Sequence, residues 1–122
     1  MSNFTEQKSL DAVVVDTTGD AVNIEGKRGL GVQLQCANHS QGNGVFTFEG
    51  TIDGKNWVAL NVMIDNLTNT NAQGYTRVAT KTLSSDTTIL LWLDDAIALK
   101  AFRVVVDVTT DGTYTANVIA RE

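Results

Sequence analysis

In the last quarter of the chain Phe102, Val104, Val106 and Val108 recur at every second position, with Arg103 and Asp107 between them. After Asp111-Gly112 the same rhythm resumes, with Tyr114, Ala116, Val118 and Ala120 set against Thr113, Thr115 and Asn117. A period of two puts one set of side chains on one face of a strand and excludes a helix. Asp-Gly between two such runs is a hairpin signal. The spacing therefore predicts strands over about 101–109 and 113–121, joined as a hairpin. Proline is absent, although proteins average about 5%. Every turn must then be made by Gly, Asn or Asp.

The alternation continues upstream. Leu30, Val32, Leu34 and Cys36 face one way and Gly31, Gln33 and Gln35 the other. Phe46, Phe48, Gly50 and Ile52 alternate with Thr47, Glu49 and Thr51. Val58, Leu60, Val62 and Ile64 follow the turn at Asp53-Gly54, so 44–52 and 57–63 read as a second hairpin. Ala12 to Val15 and Ala21 to Glu25 read as short strands around Thr18-Gly19-Asp20. Tyr75 to Thr82 reads as a polar strand. The apolar run at Ile89 to Leu93 fits a strand buried on both sides. Asp65 to Gly74, with three Asn and no period, reads as a long surface loop. Asp94 to Lys100 has room for a short helical turn with two carboxylates at its start. Eight or nine short strands with frequent turns predict an all-β protein, a single antiparallel β-sandwich of jelly-roll type. Residues 1–11 are mixed and polar and read as a flexible N-terminal arm, with 12–122 forming the β-sandwich domain.

Composition excludes several classes. At 122 residues and 43% apolar, the chain can bury a core unaided. No apolar run approaches about 18 residues, so no membrane helix is expected. The first residues lack the basic and apolar blocks of a signal peptide. A net charge of −5 argues against nucleic-acid binding. One cysteine and one histidine exclude a disulfide framework and cysteine- or multi-histidine metal centres.

Chemistry-bearing residues are sparse. His39 lies in the turn-rich stretch 38–44 and reads as a solvated loop residue before a general base. Ser40 beside it is no triad. Cys36 takes an inward strand position, that of a small core hydrophobe. Glu25, Glu49, Asp94 and Asp95 are scattered, and nothing selects a glycosidase pair among them. Asp53-Gly54-Lys55-Asn56 does not match a calcium loop, and turn chemistry accounts for it. Trp57 falls on the face opposite Val58 and Leu60, as a packing residue, a stacking platform or an interface anchor.

One composite pattern is more specific. The segment from Val45 through Phe48-Glu49-Gly50 and Asp53-Gly54-Lys55-Asn56-Trp57-Val58-Ala59-Leu60 resembles the G-x-V-x-F-E-G-S-x-D-G-x-N-W-V-A-L segment of small β-sandwich proteins from tailed bacteriophages and prophages. The close, with Phe102-Arg103-Val104-Val105-Val106, Gly112 and Val118-Ile119-Ala120, is similar to that group's ending. The resemblance covers about 30–60 and 99–121. It implies a virion structural protein, not an enzyme, with no cofactor. The leading expectation is a capsid decoration (cement) protein that binds the assembled head, partners with the major capsid protein or other virion proteins, and self-associates as a trimer or dimer. Its expected contacts are Asn3, Phe4 and Leu10 in the arm, and Trp57. The alternative is a receptor- or glycan-binding module of a head fibre, neck or tail, with Asn66, Asn69, Asn71 and Tyr75 lining the site.

Overall fold

The computed structural model describes residues 4–65, 75–93 and 99–122. These form strands β1 (Phe4–Val13), β2 (Thr17–Thr18), β3 (Val22–Asn23), β4 (Gly29–Ala37), β5 (Gly42–Thr51) and β6 (Val58–Leu60). They continue through β7 (Val62–Asp65), β8 (Tyr75–Val78), β9 (Thr80–Leu83), β10 (Thr87–Leu93), β11 (Ala101–Thr110) and β12 (Thr113–Arg121). Sheet A has the order β1-β12-β4-β10-β7-β8. Sheet B has the order β2-β11-β5-β6, with β3 also on β11 and β9 also on β5. All ladders are antiparallel.

The topology is a long hairpin rolled around a core. First pairs with last (β1 with β12), then β2 and β3 with β11, β4 with β10, and β5 with β6 and β9. That nesting is the jelly roll. The strand count exceeds the expected eight or nine because two predicted strands each split where the chain changes sheets, and because the N-terminal region forms β1 and a separate β2 where one short strand was expected. The 57–63 segment becomes β6 in sheet B and β7 in sheet A, and the 75–82 segment becomes β8 in sheet A and β9 in sheet B.

The core lies between the central strands. Sheet A contributes Leu30, Val32, Leu34 and Cys36 from β4 and Tyr114, Ala116, Val118 and Ala120 from β12. Sheet B contributes Phe46 and Phe48 from β5 and Phe102, Val104 and Val106 from β11; all are buried. Phe46 meets Tyr114 edge-on at 5.8 Å, and Phe48 stacks on Phe102 at 6.5 Å. Such aromatic pairs add about 0.5–1.5 kcal/mol beyond area burial. Gly44 makes room for Tyr114, since a Cβ there would fall 2.4 Å from its ring.

Three expectations need correction. First, the hairpin of 45–60 forms, with Phe48, Glu49 and Gly50 opposite Leu60, Ala59 and Val58, but Asp111-Gly112 does not close a second one. β11 belongs to sheet B and β12 to sheet A. Positive φ at Thr110 (77°) and Gly112 (112°) throws the chain across the sandwich. The β4–β5 connection crosses at the same end, and Asp111 Oδ1 ties the two together by accepting from Ser40 N (2.9 Å) and Gln41 N (3.1 Å). Second, residues 4–11, assigned to an arm, lie within β1 and pair along β12 from Phe4↔Arg121 to Leu10↔Ala116. A register shift between Lys8 and Leu10 turns both Ser9 and Leu10 inward, and Leu10 is 1% exposed. Third, β10 is not buried on both sides. Leu91 is buried, whereas Leu90 is 63% exposed on the outer face. The short turn expected at Asp94 to Lys100 falls mostly outside the described residues.

Candidate functional site

The outward residues of sheet A stand in register rows. Glu6 (β1), Ile119 (β12), Gly31 (β4), Trp92 (β10) and Met63 (β7) make one row. Lys8, Asn117, Gln33 and Leu90 make the next. Gly31 leaves a gap between Ile119 and Trp92, and that gap is the floor of a cleft of about 410 Å³. Its rim carries Glu6, Gln33, Leu90 and Asn117. Asn117 Nδ2 donates to Glu6 Oε2 at 2.9 Å, which fixes both side chains. A Cβ at position 31 would sit 3.3 Å from Ile119 Cγ2, so any larger residue would begin to fill the cleft. The floor is apolar and the rim carries two amides and one carboxylate. Such a surface can bind a neutral ligand that has both apolar faces and hydroxyls.

A second feature is the turn after β5. Asp53 closes it by accepting from Asn56 N (2.8 Å), Lys55 N (2.8 Å), Asn56 Nδ2 (2.6 Å) and Thr51 Oγ1 (3.0 Å). Those bonds, the Asn56 backbone first, hold its carboxyl well below the usual carboxylate range. Trp57 then lands on the outer face of sheet B. The Arg103 guanidinium lies 4.0 Å from the ring centroid, and Arg103 Nε donates to Glu49 Oε1 at 2.7 Å. The segment's Glu and Trp are thus joined through Arg103 on the neighbouring strand, and one face of Trp57 is covered. Beside them Ile52 (72% exposed) and Val58 (64% exposed) join Leu60 and Leu99 around an apolar cleft of about 370 Å³.

The remaining sequence candidates separate. Leu10 is locked in the core, because a side chain buried in its own sandwich cannot also anchor a partner. Phe4 is 43% exposed at the sheet A edge, with the Arg121 guanidinium 5.8 Å from its ring. Asn3, Asn66, Asn69 and Asn71 lie outside the described residues, as does the side chain of Tyr75, whose backbone pairs with Asp65 in β8. His39 Nε2 lies 2.7 Å from Gly42 O; a carbonyl only accepts, so that nitrogen carries the proton and closes the loop. Cys36 is buried, and burial pushes its thiol pKa up. Glu49 is held by Arg103, Glu25 is exposed, and Asp94 and Asp95 lie outside the described residues. Sequence reading missed the sheet A cleft. Its signal was glycine among the outward residues of β4, at Gly31 as at Gly29, and an aromatic at an outward position of β10.

No family model matches the chain, and no curated protein matches it. Among solved structures, the SPBc2 prophage-derived protein YomS is similar with a TM-score of 0.69 at 15% identity, over 98% of this chain and 95% of that one. PirA overlaps at a TM-score of 0.39 and 12% identity, covering 100% of this chain and 95% of its own. The Clostridium thermocellum xylanase 10B CBM22-1–GH10 structure with xylohexaose overlaps at 0.42 and 11% identity, over 98% of this chain and 26% of that one. These last two overlaps are too loose to bear on function. At these identities the YomS likeness establishes a shared sandwich fold.

Proposed function

We propose that this chain is a non-catalytic structural protein of a tailed-bacteriophage or prophage particle, acting as a decoration protein on the assembled head. The observation that supports the particle assignment is the end-to-end likeness to the prophage-derived YomS, together with the resemblance of residues 45–60 to phage sandwich proteins. A decoration protein works by binding the closed shell and not its free subunits, so each bound copy stabilises the assembled state. Its partner is the major capsid protein. The exposed apolar end around Ile52, Val58 and Trp57 is the contact in this reading, with Phe4 at the edge strand. Leu10 has no part in it. Self-association as a trimer or dimer completes the reading.

The purified chain, added to heads that lack it, is expected to bind saturably and to raise the temperature at which the heads rupture. Val58→Ser with Ile52→Ser is expected to lower occupancy while the fold is kept. Absence of saturable binding would overturn the decoration reading. One observation favours the second reading, a receptor- or glycan-binding module of a fibre, neck or tail: the preformed cleft on sheet A.

A further inference from the structure

We infer that the outer cleft of sheet A is a binding site for a neutral oligosaccharide. The lining chemistry selects this class. Trp92, Ile119 and Leu90 offer aromatic and aliphatic surface, which matches the C–H faces of pyranose rings. Gln33 and Asn117 each carry donors and an acceptor, as hydroxyls do. Asn117 Oδ1 stays an acceptor while Nδ2 is held by Glu6. Among the described residues Glu6 is the one ionisable group in the lining, and the chain carries −5 overall, so phosphates and nucleic acid are disfavoured.

Shape agrees with chemistry. The lining comes from β1, β12, β4 and β10, three strand spacings or about 14 Å across. That length suits a short chain of sugar rings better than a single ring. The 410 Å³ volume lies in the range of small-ligand clefts, roughly 300–1,000 Å³. Gly31 makes the floor, so the space exists before any ligand arrives. A peptide strand is a poorer fit, because the floor lies on β12, β4 and β10, each paired on both sides, and the open edge of β1 is only at the rim. A second copy is a poorer fit too. A stable interface needs about 800 Å² per partner, and Lys8, Gln35 and Thr88 border this small apolar floor. The site stands on its own geometry; only the source of the glycan, a host surface, rests on the particle reading above.

The test uses the full chain with Trp57→Phe, which leaves Trp92 as the sole tryptophan. It is titrated with maltohexaose, laminarihexaose, cellohexaose, N-acetylchitohexaose and neutral polysaccharide extracted from the host wall. A saturable change in Trp92 emission is expected with at least one probe. Gln33→Ala is expected to weaken it about tenfold, the loss of one well-made hydrogen bond. Gly31→Leu is expected to abolish it. If Gly31→Leu does not fold, Leu90→Ser with Gln33→Ala carries the test. A flat response to every probe would overturn the site, as would binding unchanged in these variants or a dimer that only the cleft variants dissociate. A flat titration for a chain present on particles sinks the cleft and leaves the particle reading; binding by a chain absent from particles does the reverse.

Discussion

Replacing Ser9 by alanine tests whether β1 is part of the sandwich. The β2 and β3 pairings on β11 leave a gap opposite Val104. Gly19 N fills half of it by donating to Val104 O at 2.8 Å. Ser9 Oγ fills the rest, accepting from Val104 N at 2.9 Å and donating to Asp20 O at 2.8 Å. Alanine removes the hydroxyl and strands a buried N–H, at a cost of about 1–3 kcal/mol. Asp20 is exposed, so its carbonyl turns to water and adds little. A loss of about 2 kcal/mol corresponds to about 8 °C in Tm for a domain of this size. It also lowers the urea midpoint by about 1 M at a slope of about 2 kcal/mol/M. Urea unfolding followed by circular dichroism reads both, and the slope should not change. Deleting residues 1–11 is expected to do far more, since loss of Leu10 alone is worth about 2–5 kcal/mol. A Ser9→Ala midpoint within error of the parent, with a truncated chain that melts like the parent, would refute the reasoning and restore a free arm.

Three other perturbations follow from the same contacts. Burial pushes the Tyr114 pKa up to about 12, so between pH 10 and 12 the unfolded phenol ionises first; stability should fall as pH rises through that window, by on the order of 1 kcal/mol per pH unit, and Tyr114→Phe should flatten the fall in alkaline melts. The Asp53 carboxylate is held low by the turn's N–H groups, so its stabilisation is present above the unfolded pKa near 3.9 and is lost as pH drops below it. The deficit of Asp53→Ala relative to the parent should therefore shrink between pH 6 and pH 2 in urea midpoints. Arg103→Lys loses the planar stack on Trp57 and should cost about 1 kcal/mol, with Trp57 more open to acrylamide quenching in a Trp92→Phe background; unchanged quenching would contradict the cover.

Periodicity was enough for the sandwich, because each core strand keeps strict alternation: Leu30 to Cys36, Phe46 to Phe48 and Tyr114 to Ala120 all point inward as read. It was not enough for the sheet assignment. Asp111-Gly112 announces a turn, but whether that turn stays within a sheet or crosses depends on the tie from Asp111 to residues 40 and 41. Nor could alternation recognise β1, where Glu6, Gln7 and Lys8 are all exposed on an edge strand, whichever face they take, and one register shift hides Ser9 and Leu10. The Glu49–Arg103–Trp57 stack joins positions 46 to 54 residues apart from Arg103, which no local motif reports. The cleft was illegible for a related reason. Its floor is a missing side chain at Gly31, seen only when β12, β4 and β10 are set in register.

The central claim, membership of a phage particle, is tested most directly by the copy number of this chain in purified particles, measured by quantitative mass spectrometry against the major shell protein. The account predicts a ratio near one or a simple fraction of it. A few copies to a few dozen per particle would move the chain to a fibre, neck or tail and favour receptor binding. Absence from the particles would contradict the claim.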